Sequence, residues 1–220
     1  MKQIVFCTLR NDKGSIGGPG GVLYMQKKVI GDNINGLPCK YQFNICKWNI
    51  KPFHLAVVIN QLLFFFKYLF CKNTYFITND IDQADILAFM GKPYSLIFHH
   101  QGPIIQEQMN FGHKMGILQI KLRKMIERYA FVKARTLHFP SSGALEMYFE
   151  NQYASCKKEE VKIGSPMYNI IVPQPIKRPS KTDLIKDSRV ITMFSAGTLT
   201  LAKGQVLTIK FIADYIKFFD

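Results

Sequence analysis

The sequence predicts a doubly wound α/β protein with a mostly parallel sheet, followed by a truncated second domain of the same type. Three observations predict this class. The chain opens with an apolar strand, a glycine-rich loop and a helix; strand and helix signals then alternate; and a second strand–loop–helix start follows a proline-rich segment. At 220 residues the chain is long enough for one large domain or two small ones.

The first of these units carries a candidate phosphate site. Lys2–Leu9 is apolar through its middle, as in a strand buried on both faces, and the helical spacing begins at Val22 and runs to Ile30. Glycines in between allow backbone N–H groups to approach an anion at the start of the helix. The spacing matches neither G-x-G-x-x-G nor a Walker A loop, so a turn without a ligand remains the alternative. The candidate glycines are Gly17, Gly18, Gly20 and Gly21.

The next segments continue the alternation that is typical of a Rossmann-like domain. The predicted elements are a strand at Tyr41–Ile45, a helix at Phe53–Cys71, a strand at Thr74–Thr78, a helix at Ile81–Gly91, a strand at Tyr94–His99, a loop at Gln101–His113, a helix at Met115–Val132, a strand at Thr136–Phe139 and a helix at Gly143–Tyr153. Gly91 and Pro93 indicate where one helix ends, and Ser141 is a candidate helix cap.

Two of these helices have an unusual surface. The segment Phe53–Cys71 has nearly the length of a membrane-spanning helix. Four polar residues interrupt it, so a membrane-spanning helix is disfavoured. The remaining alternatives are a helix in the protein core and a helix on a membrane surface. The helix at Met115–Val132 carries an apolar stripe and a basic stripe, and the basic stripe predicts either an anionic lipid contact or a solvated face. The apolar stripe is Leu118, Leu122, Met125, Tyr129 and Val132; the basic stripe is Lys114, Lys121, Arg128 and Arg135, with Lys124 beside them.

Composition narrows the class of partner. Hydrophobic residues make up 48% and charged residues 20%, which excludes a disordered chain, a collagen-like repeat and a coiled-coil rod. The formal net charge of +14 predicts an anionic partner such as a phosphate-bearing ligand, an anionic lipid surface or a nucleic acid. Nucleic acid is disfavoured because the sequence has no zinc finger, RNP or KH motif.

The five cysteines are scattered and include no C-x-x-C pair, which predicts reduced thiols and no metal site. The first residues do not show the pattern of a secretion signal, so we expect a protein that is not secreted. The predicted location is the cytoplasm, with a peripheral position on the inner face of the cell membrane as an option.

Polar residues follow two of the predicted parallel strands. Asn79 and Asp80 come directly after one strand, and His99 and His100 close the next. Functional groups of open α/β folds gather beyond the carboxyl ends of strands, so one of the two histidines is expected to face a cleft while the other packs. Asn79 and Asp80 are equally suited to capping the following helix.

The last 49 residues are predicted to form a linker and the first strand and helix of a second α/β domain. Residues 172–189 combine three prolines with five basic residues, which is typical of an interdomain linker. Residues 190–220 repeat the strand, glycine turn and helix, with Lys203 on the connecting loop. An ammonium group there is suited to an anion, although a solvated loop lysine is the alternative.

Taken in order, several short motifs resemble the family 4 retaining glycosyltransferases of the GT-B fold. These are the glycine loop at Gly17–Gly21, the passage from Gly91 to Pro103 (GKPYSLIFHHQGP), the segment Arg135–Ser141 (RTLHFPS) and Ser195–Gly204 (SAGTLTLAKG). The resemblance implies an acceptor-side domain at residues 1–171, the linker at 172–189 and the first βα unit of a donor domain at 190–220.

The resemblance also implies a reaction, in which a sugar moves from a nucleotide diphosphate sugar to a saccharide or lipid-linked acceptor with retention and without a metal or other cofactor. It implies that His100 positions the transferred sugar. The residues that it places near donor or acceptor are the four candidate glycines, Ser141, Thr198 and Lys203. Asn79 is a further candidate for donor or acceptor binding, because of its position after a strand.

Two departures from the family pattern lead to a second expectation. Thr198 stands where relatives have an arginine, which removes a bidentate phosphate contact, and the glutamate pair of the donor domain does not occur before Asp220. The 220-residue chain is therefore expected to have little or no transferase activity by itself. The alternative is a non-catalytic module that keeps the fold and binds a membrane surface or a partner.

Overall fold

The structure is a computed structural model, and it describes residues 2–10, 18–45, 53–100 and 102–167. The chain divides into two compact units, of which the first comprises Met1–Gln106 with Met115–Val172 and the second comprises Glu107–Lys114 with Pro173–Asp220. The predicted linker and donor unit, including Thr198 and Lys203, lie outside the described residues, as does Gly17. All six strands described belong to the first unit.

The elements alternate along the chain as the sequence predicts. They are β1 (Gln3–Cys7), α1 (Gly18–Ile30), β2 (Asn33–Ile34), β3 (Leu37–Gln42), α2 (Phe53–Tyr68), β4 (Thr74–Thr78), α3 (Ile81–Phe89), β5 (Tyr94–Ile97), α4 (Ile104–Asn110), α5 (Ile117–Lys133), β6 (Thr136–His138) and α6 (Ser142–Phe149), followed by a 3₁₀ turn at Lys158–Glu160.

The strands form one sheet in the order β2-β3-β1-β4-β5-β6. Every pairing is parallel except the short β2–β3 hairpin. After β1 the chain crosses to β3 on one side, and α2 then carries it back past β1 to β4 on the other side. The strand order therefore reverses between β1 and β4, which is the switch point of an open doubly wound sheet. This architecture is compatible with a Rossmann-like fold.

Alternation along β1 sends side chains into two cores, one on each face of the sheet. Val5 and Cys7 belong to the larger core, which also contains Phe64 of α2, Leu87 of α3 and Phe131 of α5. The smaller core lies on the other face, where Ile4 and Phe6 meet Leu23 of α1 and Cys39 of β3. Helices α2, α3 and α5 thus cover one face, with α3 in the middle, and α1 covers the other.

Helix α5 exposes apolar side chains on the face that points away from the sheet, where a surface helix usually carries polar residues. Its buried residues are Glu127, Ala130 and Phe131. The apolar stripe lies on the opposite side of the helix, so the residues that the sequence groups together face away from the core. The exposed fractions are 80% for Leu118, 50% for Leu122, 62% for Met125, 40% for Tyr129 and 42% for Val132.

Several element bounds differ from the sequence-based expectation, and one helix was not expected. Helix α1 begins at Gly18 rather than Val22, so the glycines there lie in its first turn. The strand expected at Tyr41–Ile45 begins earlier, as β3, because a tight hairpin with β2 precedes it. The expected loop at Gln101–His113 was wrong, since it contains α4, whose Ile104 and Ile105 are buried. Helix α6 ends at Phe149, four residues before the predicted Tyr153.

Two local signals in the sequence are confirmed. Gly91 adopts a φ of +64° just after α3, a left-handed conformation that glycine takes readily and that ends the helix. Ser141 occupies the N-cap of α6, and its Oγ accepts a hydrogen bond from the Ala144 amide at 3.1 Å. Ser141 thus has a helix-capping role.

Candidate functional site

A largely buried polar cluster lies at the switch point, where the carboxyl ends of β1 and β4 meet. We call it the switch-point cluster, and its members are Thr8, Arg10, Gln26, Asn79, Asp80 and His99. Strands β1 and β4 pair in register up to Cys7 and Thr78, so the residues that follow these strands are neighbours in space. His99 joins the cluster from the end of β5, which pairs with β4. The parallel sheet thereby gathers side chains from three distant parts of the chain.

Asp80 is the centre of the cluster. The Thr8 hydroxyl and the Leu9 amide both donate to Asp80 Oδ2, the amide at 2.9 Å, and Arg10 Nε lies 3.7 Å from Oδ1. Burial raises the pKa of the Asp80 carboxyl, while Thr8, Arg10 and Leu9 oppose that rise. Asp80 stands at the N-cap position of α3 without a side-chain capping bond, because its carboxylate is directed to the end of β1 instead.

Asn79 connects helix α1 to the end of β5 through its side-chain amide. Its Nδ2 donates to Gln26 Oε1 on α1 at 3.3 Å, and its Oδ1 lies 3.2 Å from His99 Nε2. An amide oxygen only accepts, so the His99 proton resides on Nε2 in this arrangement. Burial, with the nearby His100 as a smaller cause, lowers the pKa of His99 to about 4, so the ring is neutral at neutral pH. Its Nδ1 is buried and has no hydrogen-bond partner among the described residues.

His100 points into different surroundings from His99, as strand alternation predicts for neighbouring residues. Its ring lies 4.8 Å from that of Phe98, which is part of the aromatic core around Phe131 and Tyr148. His100 also contributes, as a minor cause, to lowering the pKa of Glu127. The resemblance assigned the cleft to His100, whereas in the structure the switch-point cluster contains His99.

Glu127 organises a second polar group beneath α5. Although it is only 2% exposed, its carboxylate accepts from the Tyr148 hydroxyl and, through Oε2, from the Ile104 amide at 3.2 Å. Ser155 Oγ lies 2.6 Å from the Tyr148 hydroxyl. Burial raises the pKa of Glu127, and the bonds from Tyr148 and Ile104 oppose that rise. The group ties α4, α5 and α6 together at the end of β5.

The sequence predicts part of this site. The position of Asn79 and Asp80 after a strand makes them candidates, and both are buried in the cluster. Thr8, Arg10 and Gln26 were missed, because their partners are about 50 to 70 residues away in the chain. Among the described residues, no group of three or more His, Cys, Asp or Glu side chains is arranged to hold a metal ion.

The fold and the cluster define a class, which is an open α/β domain with a mostly parallel six-stranded sheet and polar groups at its switch point. No protein-family model, curated protein or solved structure matches the chain. In the described part of the chain, no helix is both long enough and apolar enough to cross a bilayer.

Proposed function

We propose that the chain is the acceptor-side domain of a glycosyltransferase that moves a sugar from a nucleotide diphosphate sugar to a saccharide or lipid-linked acceptor. The observation that carries the proposal is the switch-point cluster, since open α/β sheets bind ligands at the carboxyl ends of strands where the strand order reverses. The reaction class comes from the motif resemblance, whose His-bearing passage includes the end of β5.

Arg10 and the start of α1 supply the attraction for phosphate in this proposal. Arg10 is 45% exposed and lies beside Asp80, so its guanidinium is accessible to an anion while the carboxylate holds it in place. Helix α1 follows the same strand end, and its first turn has no acidic residue and contains Gly18, Gly20 and Gly21. The helix dipole and the N–H groups without intrahelical partners at such a terminus favour negative charge.

Asn79 and His99 supply neutral polar groups suited to sugar hydroxyls. The Asn79 amide is held from both ends, by Gln26 and by His99, and therefore fixes the orientation of the imidazole. Because the ring is neutral with its proton on Nε2, Nδ1 is an acceptor that lacks a partner among the described residues. A hydroxyl group of a bound saccharide, admitted by a small movement of the ring, would complete its hydrogen bonding.

Isothermal titration calorimetry on the full chain with UDP-glucose and GDP-mannose tests the proposal. We expect at least one nucleotide sugar to bind. Arg10→Gln should weaken binding about tenfold or more, since a hydrogen bond to a charged group contributes about 1.5 to 3 kcal/mol. Asn79→Ala should weaken binding about two- to tenfold, since a hydrogen bond between neutral groups contributes about 0.5 to 1.5 kcal/mol. Gln3→Ala is the matched control, because Gln3 also joins two strands by a side-chain hydrogen bond, but at the amino-terminal edge of the sheet.

Absence of binding by both nucleotide sugars, or binding that is unchanged in Arg10→Gln and Asn79→Ala, would overturn the proposal. A comparison of His99→Gln with His100→Gln then separates the two histidines. A larger loss for His99→Gln identifies the residue in the switch-point cluster, whereas a larger loss for His100→Gln supports the residue that the resemblance implies.

A further inference from the structure

The outer face of α5 combines exposed apolar side chains with positive charge. The five residues of the apolar stripe recur at spacings of three and four, opposite the buried Glu127, Ala130 and Phe131. Exposed apolar patches of this kind on a folded domain mark interaction surfaces. We define the α5 outer face as Leu118, Leu122, Met125, Tyr129 and Val132 together with the basic residues Lys121, Arg128 and Lys133.

The charges on this helix are strongly one-sided. Its 17 residues include five basic side chains, and its single acidic side chain, Glu127, is buried beneath it. Lys121 flanks the stripe on one side and Lys133 flanks it on the other, both exposed. Arg128 lies on the same side as Lys121 and is exposed as well, but it forms an ion pair with Glu160. An apolar strip bordered by cations is the pattern of a helix that lies in the plane of an anionic lipid surface.

Helix α2, on the far side of α3 in the same layer, also exposes apolar side chains. Helices α2, α3 and α5 cover one face of the sheet, and α2 also exposes an apolar row opposite its buried residues Asn60, Phe64 and Tyr68. That row consists of Leu55, Val58, Leu62 and Phe66, with exposed fractions between 48% and 67%. Two of the three helices in this layer therefore present apolar side chains away from the core.

A groove beside α5 is suited to the region of a phospholipid where the headgroup joins the acyl chains. It has a volume of about 390 Å³ and is lined by Lys124, Met125, Arg128, Tyr129, Val132 and Ser155. Its walls combine apolar side chains with two cations, a chemistry that suits the junction of a phosphate headgroup and an acyl chain.

We infer that the α5 outer face docks the domain on an anionic phospholipid membrane, with the apolar stripe at the level of the headgroup–acyl boundary. Charge complementarity selects this occupant, because a chain with a net charge of +14 presents its basic helix to a negatively charged surface. The inference rests on α5 and is independent of nucleotide-sugar binding, so either one can fail without the other.

Vesicle co-sedimentation of the full chain tests the inference. We expect the chain to pellet with phosphatidylglycerol–phosphatidylcholine vesicles, to remain in solution with phosphatidylcholine alone, and to bind less at high salt. Leu118→Ser combined with Leu122→Ser should weaken binding about tenfold or more, since each buried methylene of a membrane anchor contributes about 0.8 kcal/mol, or about fourfold. Both side chains are exposed, so folding is retained.

Charge reversal provides a second arm with a matched control. Lys121→Glu combined with Lys133→Glu should weaken binding more than about twentyfold, because each basic residue near an anionic surface contributes about fivefold. Lys27→Glu combined with Lys28→Glu changes the net charge equally on exposed positions of α1, which covers the other face of the sheet, and should leave most binding intact.

Three results would overturn the inference: no binding to phosphatidylglycerol vesicles, equal losses in the two charge-reversal pairs, or wild-type binding by the Leu118→Ser/Leu122→Ser variant. A concentration-dependent dimer in gel filtration that this variant abolishes, without vesicle binding, would assign the face to a second copy of the chain instead.

Discussion

Thr8 and Asp80, 72 residues apart in the chain, share a buried hydrogen bond in which the Thr8 hydroxyl donates to the Asp80 carboxylate. The bond joins the residues that follow β1 and β4, the two strands on either side of the switch point. Asp80 also accepts from the Leu9 amide at 2.9 Å, so a single carboxylate holds the first residues beyond β1 against the end of β4. This relationship positions Arg10, the cation of the cluster.

The first prediction concerns that bond. Thr8→Val keeps the shape of the side chain but removes the donor, and the buried carboxylate then lacks one of its partners. We expect the free energy of unfolding to fall by about 1 to 3 kcal/mol, measured by urea denaturation near neutral pH. Thr8→Ser retains the hydroxyl and is the control. A Thr8→Val variant as stable as Thr8→Ser would show that the bond contributes nothing.

The second prediction concerns the protonation of His99. Its pKa of about 4 lies below the ordinary value of 6.5, so between these pH values the unfolded chain binds a proton that the folded chain excludes. The contribution of His99 therefore makes the fold less stable as pH falls through this window. Nitrogen-15 NMR of the ring should give a midpoint near 4, and a midpoint near 6.5 would contradict the burial argument.

The third prediction concerns Asp85 on α3, which responds to pH in the opposite sense. Burial, reinforced by Asp82, raises its pKa from 3.8 to about 7, and its Oδ1 is buried without a hydrogen-bond partner among the described residues. Between these pH values the folded chain retains a proton that the unfolded chain has released, so this contribution to stability is lost as pH rises through the window.

Asp85→Asn removes that titration. We expect the variant to be more stable than the wild type at pH 8 by roughly 1 to 3 kcal/mol, and the difference to shrink toward pH 4, in urea denaturation at both pH values. His99 and Asp85 change the free energy of unfolding in opposite directions over overlapping pH ranges. The difference in that free energy between Asp85→Asn and the wild type therefore isolates the contribution of Asp85. A difference that does not change with pH would contradict the raised pKa.

The fourth prediction concerns the group beneath α5. Tyr148→Phe removes the hydroxyl that donates to Glu127 and that also contacts Ser155, in a fully buried position. We expect a loss of about 1 to 3 kcal/mol of unfolding free energy. Tyr129→Phe is the matched control, since the same atom is removed from a 40% exposed residue, and its effect should stay within about 0.5 kcal/mol. Equal effects of the two substitutions would contradict a stabilising role for the Glu127 group.

Local signals in the sequence predicted the elements more successfully than the site. The strand at Thr74–Thr78 has the predicted limits, and Gly91 and Ser141 stand where their backbone and capping preferences place them. The switch-point cluster depends on strand order, which follows from long-range pairing and not from residue spacing. The short hairpin before β3 and the buried start of α4 likewise carry weak local patterns.

The spacing of apolar residues also does not predict which side of α5 is buried. A stripe of five apolar residues at helical spacing usually faces the core. In α5 the residues that face the core are Glu127, Ala130 and Phe131 instead. Ala130 is fully buried and its carbonyl accepts a hydrogen bond from the Tyr94 hydroxyl of β5. Glu127 has partners in Tyr148 and Ile104, so the polar residue is inside and the stripe is outside. Only the three-dimensional positions of those partners decide which side of the helix is buried.

NMR of the full chain tests our proposal that the switch-point cluster binds a phosphorylated sugar ligand. On titration with UDP-glucose or GDP-mannose, we expect saturable shifts of the His99 ring nitrogens and the Asn79 side-chain amide, with Gln3 unaffected. The absence of these shifts with both nucleotide sugars, or shifts confined to residues outside the cluster, would contradict it.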